Sequence, residues 1–256
     1  MKISVCGKGG SGKSTIVALL ANEVRARGYR VLVVDSDESN SGLYRMLDFD
    51  HPPVPLMELV GGKKSLKQKM AQTNVLSETQ IATAQIPDQH LVQRNGLMLV
   101  SIGKILQSLE GCACPMGVLS REFLKKLTLV EDELAIVDME AGVEHFGRGV
   151  DTSIDSVLIV VEPPLESVNV GQKIHELASG IGIKHVWAIM NKVPTEEIST
   201  RLKEELKKRR IEVVGCIYFD ADIFRSSLNG RIPADGVAVW EIKQVLDVIL
   251  SRSRSR

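Results

Sequence analysis

Ile3-Ser4-Val5-Cys6-Gly7-Lys8-Gly9-Gly10-Ser11-Gly12-Lys13-Ser14-Thr15 is the stretch from which the rest of the chain can be read. A buried-strand pattern runs into a glycine-rich turn, and an amphipathic stretch continues from Lys13 to Gly28. Gly7 to Ser14 fits G-x-x-x-x-G-K-[ST] and sits after a strand and before a helix, which is where the motif works. Successive glycines let backbone N–H groups converge on phosphate oxygens without Cβ clashes, and the helix N-terminus adds partial positive charge. Gly7, Gly9, Gly10, Ser11, Gly12, Lys13, Ser14 and Thr15 are therefore expected to cradle ATP or ADP. Lys13 neutralises the β- and γ-phosphates, and the Ser14 hydroxyl ligates Mg²⁺. A glycine-rich turn that holds no ligand is the bland competitor.

Outward from this loop, short β-branched runs alternate with longer amphipathic ones. Strands are expected near Ile3–Cys6, Val31–Asp35, Leu97–Ile102, Leu134–Asp138, Val157–Val161, Val186–Asn191 and Val213–Ile217. Helices are expected at about Lys13 to Gly28, Leu165 to Gly180, Thr195 to Arg210 and Gly236 to Ser251. This rhythm predicts an α/β fold: a mostly parallel sheet of about seven or eight strands flanked by helices, a three-layer sandwich of the P-loop NTPase class. At 256 residues one domain is expected over residues 1–256. The irregular segment from Asp50 to Asn95, with Pro52, Pro53, Pro55 and Gly61-Gly62, reads as an insertion and by default a surface elaboration.

With 32 basic and 32 acidic side chains, the charge balance gives no footprint for nucleic acid or an anionic membrane. No apolar run reaches the roughly 18 residues of a membrane span. The chain also starts straight into a strand rather than a secretory signal, so a cytoplasmic setting is expected. The basic tail Arg252-Ser253-Arg254-Ser255-Arg256 reads as a frayed, solvated end. In a reducing compartment, four cysteines are buried thiols or metal ligands rather than a disulfide framework.

Two further strands end in acids. Val33-Val34-Asp35-Ser36-Asp37 places Asp35 and Asp37 at the carboxyl edge of the sheet, where open α/β sheets bind ligands. Capping of a following helix by Asp37 or Ser39 is a competing role. Leu134-Ala135-Ile136-Val137-Asp138 runs into Met139-Glu140-Ala141-Gly142 and reads as Walker B with its switch. Asp138 would hold a magnesium-bound water, and Gly142 could offer its N–H to the γ-phosphate.

Lys8, ahead of Lys13, makes the loop resemble the deviant Walker A of the MinD, ParA and nitrogenase iron protein superfamily. The resemblance implies a dimer that sandwiches two nucleotides, with Lys8 reaching the phosphates of the facing subunit. It also makes Asp37 the residue that orients the attacking water and puts Asp35 in or near the outer magnesium shell. Asn191, ahead of Lys192, would face adenine, with a turn-forming asparagine as the alternative. Members often carry a proline-containing base-binding turn after the last strand, whereas Ile217-Tyr218-Phe219-Asp220 has none.

Gly111-Cys112-Ala113-Cys114-Pro115 narrows the function. Two thiols at i and i+2, ahead of an expected helix, can chelate one soft or borderline ion. A closed tetrahedral site needs four ligands, and Cys6 and Cys216 lie inside strands. Pairing Cys112 and Cys114 across a symmetric homodimer supplies the set, with one metal per two chains. Two incidental cysteines are the alternative.

Taken with the phosphate loop and Asp35-Ser36-Asp37, this pair resembles the CooC-type accessory ATPases that mature nickel enzymes. The resemblance implies ATP-dependent delivery of nickel to carbon monoxide dehydrogenase, with zinc able to occupy the same thiolates. A client role for acetyl-CoA synthase is equally open. His145 is either a further ligand or a helical surface histidine. An iron–sulfur carrier and a MinD- or ParA-like positioning ATPase are the competing functions.

Overall fold

The computed structural model describes residues 1–69, 74–104, 114–143 and 153–254. Its main sheet has eight strands. In chain order the strands of the structure are β1 (Lys2–Gly7), β2 (Arg30–Asp35), β3 (Ile81–Ala82), β4 (Val92–Arg94), β5 (Leu97–Ser101), β6 (Leu127–Thr128), β7 (Glu133–Asp138), β8 (Ser156–Val161), β9 (His185–Val193) and β10 (Glu212–Tyr218). The helices are α1 (Lys13–Ala26), α2 (Leu43–Met46), α3 (Gly62–Lys69), α4 (Cys114–Lys126), α5 (Leu165–Gly180), α6 (Glu196–Lys208), α7 (Ala221–Ser227) and α8 (Val237–Arg254).

The sheet order is β10-β9-β8-β1-β7-β2-β5-β4, and β3 pairs with β6 in a separate ribbon. Only the edge strand β4 runs antiparallel, paired with β5. The central strands read as continuous β-branched runs because both their faces are covered. β7 and β8 are buried along their full length. On one face Val31, Val33, Ile136, Leu158 and Val160 pack with Ile16 and Leu20 of α1 and with Ile242 and Leu246 of α8. On the other, Leu32, Val34, Val137 and Ile159 meet Leu119 and Phe123 of α4 and Val168 and Ile174 of α5. This is the three-layer sandwich expected from the sequence.

The seven expected strands all form, each a residue or so longer or shorter at its ends. Helix α5 has the expected limits, and Thr195 caps α6 by accepting from the Ile198 N–H. The 50–95 segment departs from the picture of a surface elaboration. It holds a 3₁₀ turn at Leu56–Val60, α3 and the short strands β3 and β4. Leu56, Met57, Val60, Leu66, Ile81, Ile86 and Leu91 join the core on the α4 side. Prolines hide this packing from periodicity, because its apolar residues follow neither a helical nor a strand period.

Helix α8 turns its apolar face inward, burying Ala238, Ile242, Val245 and Ile249, while Val237 and Trp240 stay exposed at its start. No helix among the described residues is long and apolar enough to cross a membrane. Contact between α8 and β10 is close at Gly215, where an added Cβ would overlap Val245. Gly215→Ala should therefore lower stability by about 1–3 kcal/mol, the usual cost of overpacking. Gly180→Ala, where an added Cβ meets nothing within 4 Å, is the control and should leave it unchanged or slightly raised. Urea unfolding of the two variants checks the contrast.

Candidate functional site

The phosphate loop joins β1 to α1, and backbone geometry explains its glycines. Gly12, the N-cap of α1, has φ 91°, and no side chain caps the helix. Its first-turn N–H groups are thus left to an anion. A Cβ on Gly12 would lie 2.5 Å from Asn191 Nδ2, and one on Gly7 would lie 2.5 Å from the Val160 carbonyl oxygen. Inside the turn the Ser11 N–H donates to the Lys8 carbonyl at 3.2 Å. The Lys13 ammonium, buried, reaches that same carbonyl at 3.4 Å.

The acids lie opposite this cradle. Asp35 and Asp138 are register partners across β2 and β7, so their side chains emerge side by side at the carboxyl edge. Both are buried. Neither oxygen of Asp138 has a hydrogen-bond partner of normal geometry, and the same holds for Oδ1 of Asp35. Burial pushes Asp138 up to about 7, opposed by the nearby Ser14 hydroxyl and by Lys13. Burial likewise pushes Asp35 to about 6, against the lowering effect of the Lys104 ammonium 2.7 Å from its Oδ2. Orphaned buried carboxylate oxygens beside the Ser14 hydroxyl are a hard-cation donor set, so the residues present fit Mg²⁺.

Asp37 is held differently. Its Oδ1 accepts from the Ser39 N–H at 2.9 Å and the Ser39 hydroxyl at 2.6 Å. The capping role weighed for it is not seen: the nearest helix, α2, starts at Leu43 after Gly42. Ser14 Oγ accepts from Asn40 Nδ2 at 2.7 Å, a contact that nothing in the sequence pattern announced. The Gly142 N–H donates to the Gly7 carbonyl at 3.1 Å. Offering that amide to a phosphate, as the motif suggests, therefore requires this bond to open.

Asn191, in β9, braces the loop from behind by donating to the Ser11 carbonyl at 2.8 Å. One of its two amide N–H donors is thus used within the loop scaffold. The adjacent Lys192, with φ 55°, donates to the Gly10 carbonyl at 2.5 Å and pairs with Glu162 at 2.9 Å. A cleft of about 590 Å³ extends from Gly12, Ser14 and Asp37 to a far wall of Tyr218, Phe219, Ile223 and Phe224. Phe219 and Phe224 are largely exposed, so aromatic surface stands where the family's proline turn was missed. Helix α7, which carries Phe224, is started by Asp220, whose Oδ1 accepts from Asp222 and Ile223 N–H groups. That N-cap signal was present in the sequence but was too short to stand out. A larger open groove of about 1370 Å³ runs along the opposite edge of the sheet, past Glu131, Asp155 and His185. The phosphate loop and the aligned acids are all remote from it.

Cys112 and His145 lie outside the described residues, as does the side chain of Cys114, whose backbone opens α4. Among the described residues no group of three or more histidine, cysteine or acidic side chains is placed to hold a metal ion by itself. Cys6 is fully buried, and burial raises its thiol to about 12. Burial also raises Cys216, which accepts from the Ser199 hydroxyl at 3.7 Å. Both are thus poor thiolate ligands, as their strand positions suggested.

Residues 3–234 match the family described as the CobQ/CobB/MinD/ParA nucleotide binding domain. The chain belongs to this family. It is an ATPase of the P-loop class. An ATP-binding protein of Methanocaldococcus jannaschii is 41% identical over 254 residues, covering 97% of this chain and 99% of its own. The carbon monoxide dehydrogenase accessory protein CooC of Rhodospirillum rubrum is 32% identical over 226 residues, 87% of this chain and 85% of its own. Among solved structures, a chain of the MinC:MinD cell division protein complex of Aquifex aeolicus superposes with TM-score 0.71 at 17% identity, covering 98% of this chain and 95% of its own. MinD of Pyrococcus horikoshii, solved with Mg-ADP, gives 0.70 at 16%, covering 100% and 99%. At those identities the structures speak for the fold.

A buried acid whose pKa in the fold exceeds the unfolded value of about 4 destabilises the protein increasingly as pH rises through that interval. For Asp138 the interval runs from there to about 7. Asp138→Asn should make the ligand-free protein more stable at pH 8 by about 1–2 kcal/mol, with little change at pH 4. The same substitution should cut Mg²⁺-dependent ATP turnover by about 100-fold or more. Thermal unfolding at the two pH values, alongside a phosphate-release assay, reads both effects.

Proposed function

We propose that this ATPase is a dimeric metallochaperone that carries nickel on Cys112 and Cys114 and assists its insertion into carbon monoxide dehydrogenase. The observation that carries the reading is the 32% identity to the Rhodospirillum rubrum accessory protein over 87% of this chain. The Cys112-Ala113-Cys114 pair supplies a chemical reason for it. Two chains contribute four thiolates to one nickel or zinc ion, and each subunit's Lys8 meets the nucleotide of the other.

In the hydrolytic step Lys13 binds the β- and γ-phosphates, Lys8 of the facing subunit adds charge where it accumulates, and Asp37 orients the attacking water. Ser14, Asp35 and Asp138 would hold Mg²⁺, which supplies charge neutralisation at the phosphates. Supporting a link between nucleotide and cargo, α4 starts at Cys114 and its Ser120 hydroxyl shares a hydrogen bond with Ser36, beside Asp35. A change at the acids therefore has a short path to the helix that carries one of the two thiols.

Anaerobic titration should give one nickel bound per two chains, with dimerisation promoted by the ion. Cys112→Ser with Cys114→Ser should abolish nickel binding while ATP affinity stays within about twofold, since the cradle is untouched. Retained nickel affinity in the double variant, or a ratio of one ion per chain, overturns the scheme. A brown preparation with acid-labile sulfide would instead mark an iron–sulfur carrier. Activation of nickel-free carbon monoxide dehydrogenase by the nickel-loaded, ATP-supplied protein tests the client.

A further inference from the structure

We infer that Lys104 is a positioning residue for ATP hydrolysis, clamping the Asp35–Asn40 loop so that Asp37 and Asn40 face the phosphate cradle. An ammonium group has three donors, and here all three are used. Lys104 Nζ lies 2.7 Å from Asp35 Oδ2 and donates to the Asp37 carbonyl at 2.5 Å and to the Asn40 carbonyl. A plain ion pair would need only the carboxylate. The two carbonyls belong to the turn after β2, so the one cation ties the strand end to both arms of the loop.

The lysine is itself held in place. Its side chain is 12% exposed. Two residues earlier, the Ile102 N–H donates to the Asp35 carbonyl at 2.9 Å, and the Ile102 carbonyl accepts from Met57 N–H at 2.9 Å. Gly103 lies against α4 so closely that a Cβ there would be 2.5 Å from Met116 Sδ. A side chain leaving so constrained a backbone loses little further entropy on binding, which makes it an effective clamp.

What the clamp holds is the reactive edge of the site. Asp37 is braced by Ser39, and Asn40 Nδ2 touches Ser14 Oγ at 2.7 Å. By taking Oδ2 of Asp35, Lys104 also leaves Oδ1 as the oxygen without a partner. The phosphate-cradling loop and the aromatic wall make no contact with Lys104 through the interactions described. Its loss should therefore disturb the chemical step more than nucleotide binding.

Lys104→Met, Lys104→Arg and Lys104→Gln test this in the full chain, without nickel or client, so its failure and that of the metallochaperone reading are separable. In Lys104→Met, kcat should fall about 30- to 100-fold while KM for ATP and affinity for a non-hydrolysable ATP analogue stay within about threefold. Amide exchange of residues 36–42 in nucleotide-free protein should accelerate by about tenfold or more. Lys104→Arg should recover most of kcat and of the protection. The inference is overturned if kcat of Lys104→Met stays within twofold and exchange is unchanged, or if analogue affinity falls as much as kcat. Should Lys104→Met fail to fold, Lys104→Gln is read in its place. The same split with a smaller loss supports the clamp, and wild-type turnover overturns it.

Discussion

Carboxyl groups held at the ends of neighbouring buried strands, facing a cradle of N–H groups, are the arrangement on which the rest of the site depends. Asp35 and Asp138 are register partners, so strand pairing alone brings them together. Both are buried, and three of their oxygens have no hydrogen-bond partner within the protein. Burial raises both groups towards neutrality, to about 6 and about 7, which is how a protein tolerates acids it cannot hydrate. A divalent cation changes that balance by favouring the charged forms. Binding of such a cation and the ionisation of the two acids therefore favour one another.

Much of this was legible in the sequence because the chemistry demands particular residues at particular turns. The glycines of the loop, Lys13, Ser14 and the strand-end acids were all readable, since each strand ends in its functional residue after an unbroken apolar run. The β-branched strands were readable for the same reason: strands buried on both faces have no alternation to confuse them with a surface helix. Residues whose role depends on distant neighbours were not. Lys104 lies 67 residues from Asp37 in sequence and meets it only through the sheet order. Asn40 meets Ser14 across 26 residues, and neither belongs to a spaced motif.

Asn191 is a residue found by position to which the structure adds a contact that its motif does not announce. It donates to the Ser11 carbonyl behind the phosphate loop, which uses one of its amide's two N–H donors. Gly12 accounts for this, since only a residue without Cβ leaves room for the amide so close. Lys192 adds a second brace from the same strand end, on the Gly10 carbonyl. The loop is thus braced from β9 through two side chains, Asn191 and Lys192. Meanwhile Phe219 and Phe224 give the cleft an aromatic wall in place of the missing proline.

Helix α4 is where the two halves of the proposed activity meet. It packs Leu119 and Phe123 into the core, touches Gly103 through Met116, and bonds Ser36 through Ser120. Ser36 in turn donates its N–H to the Asp138 carbonyl at 3.0 Å, so a single residue touches the ends of both acid-bearing strands and this helix. Packed cores do not deform smoothly, and a small shift at the acids is passed on as a displacement of a rigid element or absorbed not at all. In the proposed scheme, Cys114 at the first residue of α4 would tie the thiol pair to the helix that Ser36 bonds. Any coupling of that kind would run both ways by linkage, an ion on the thiols biasing the nucleotide state by the same free energy as the nucleotide biases the ion.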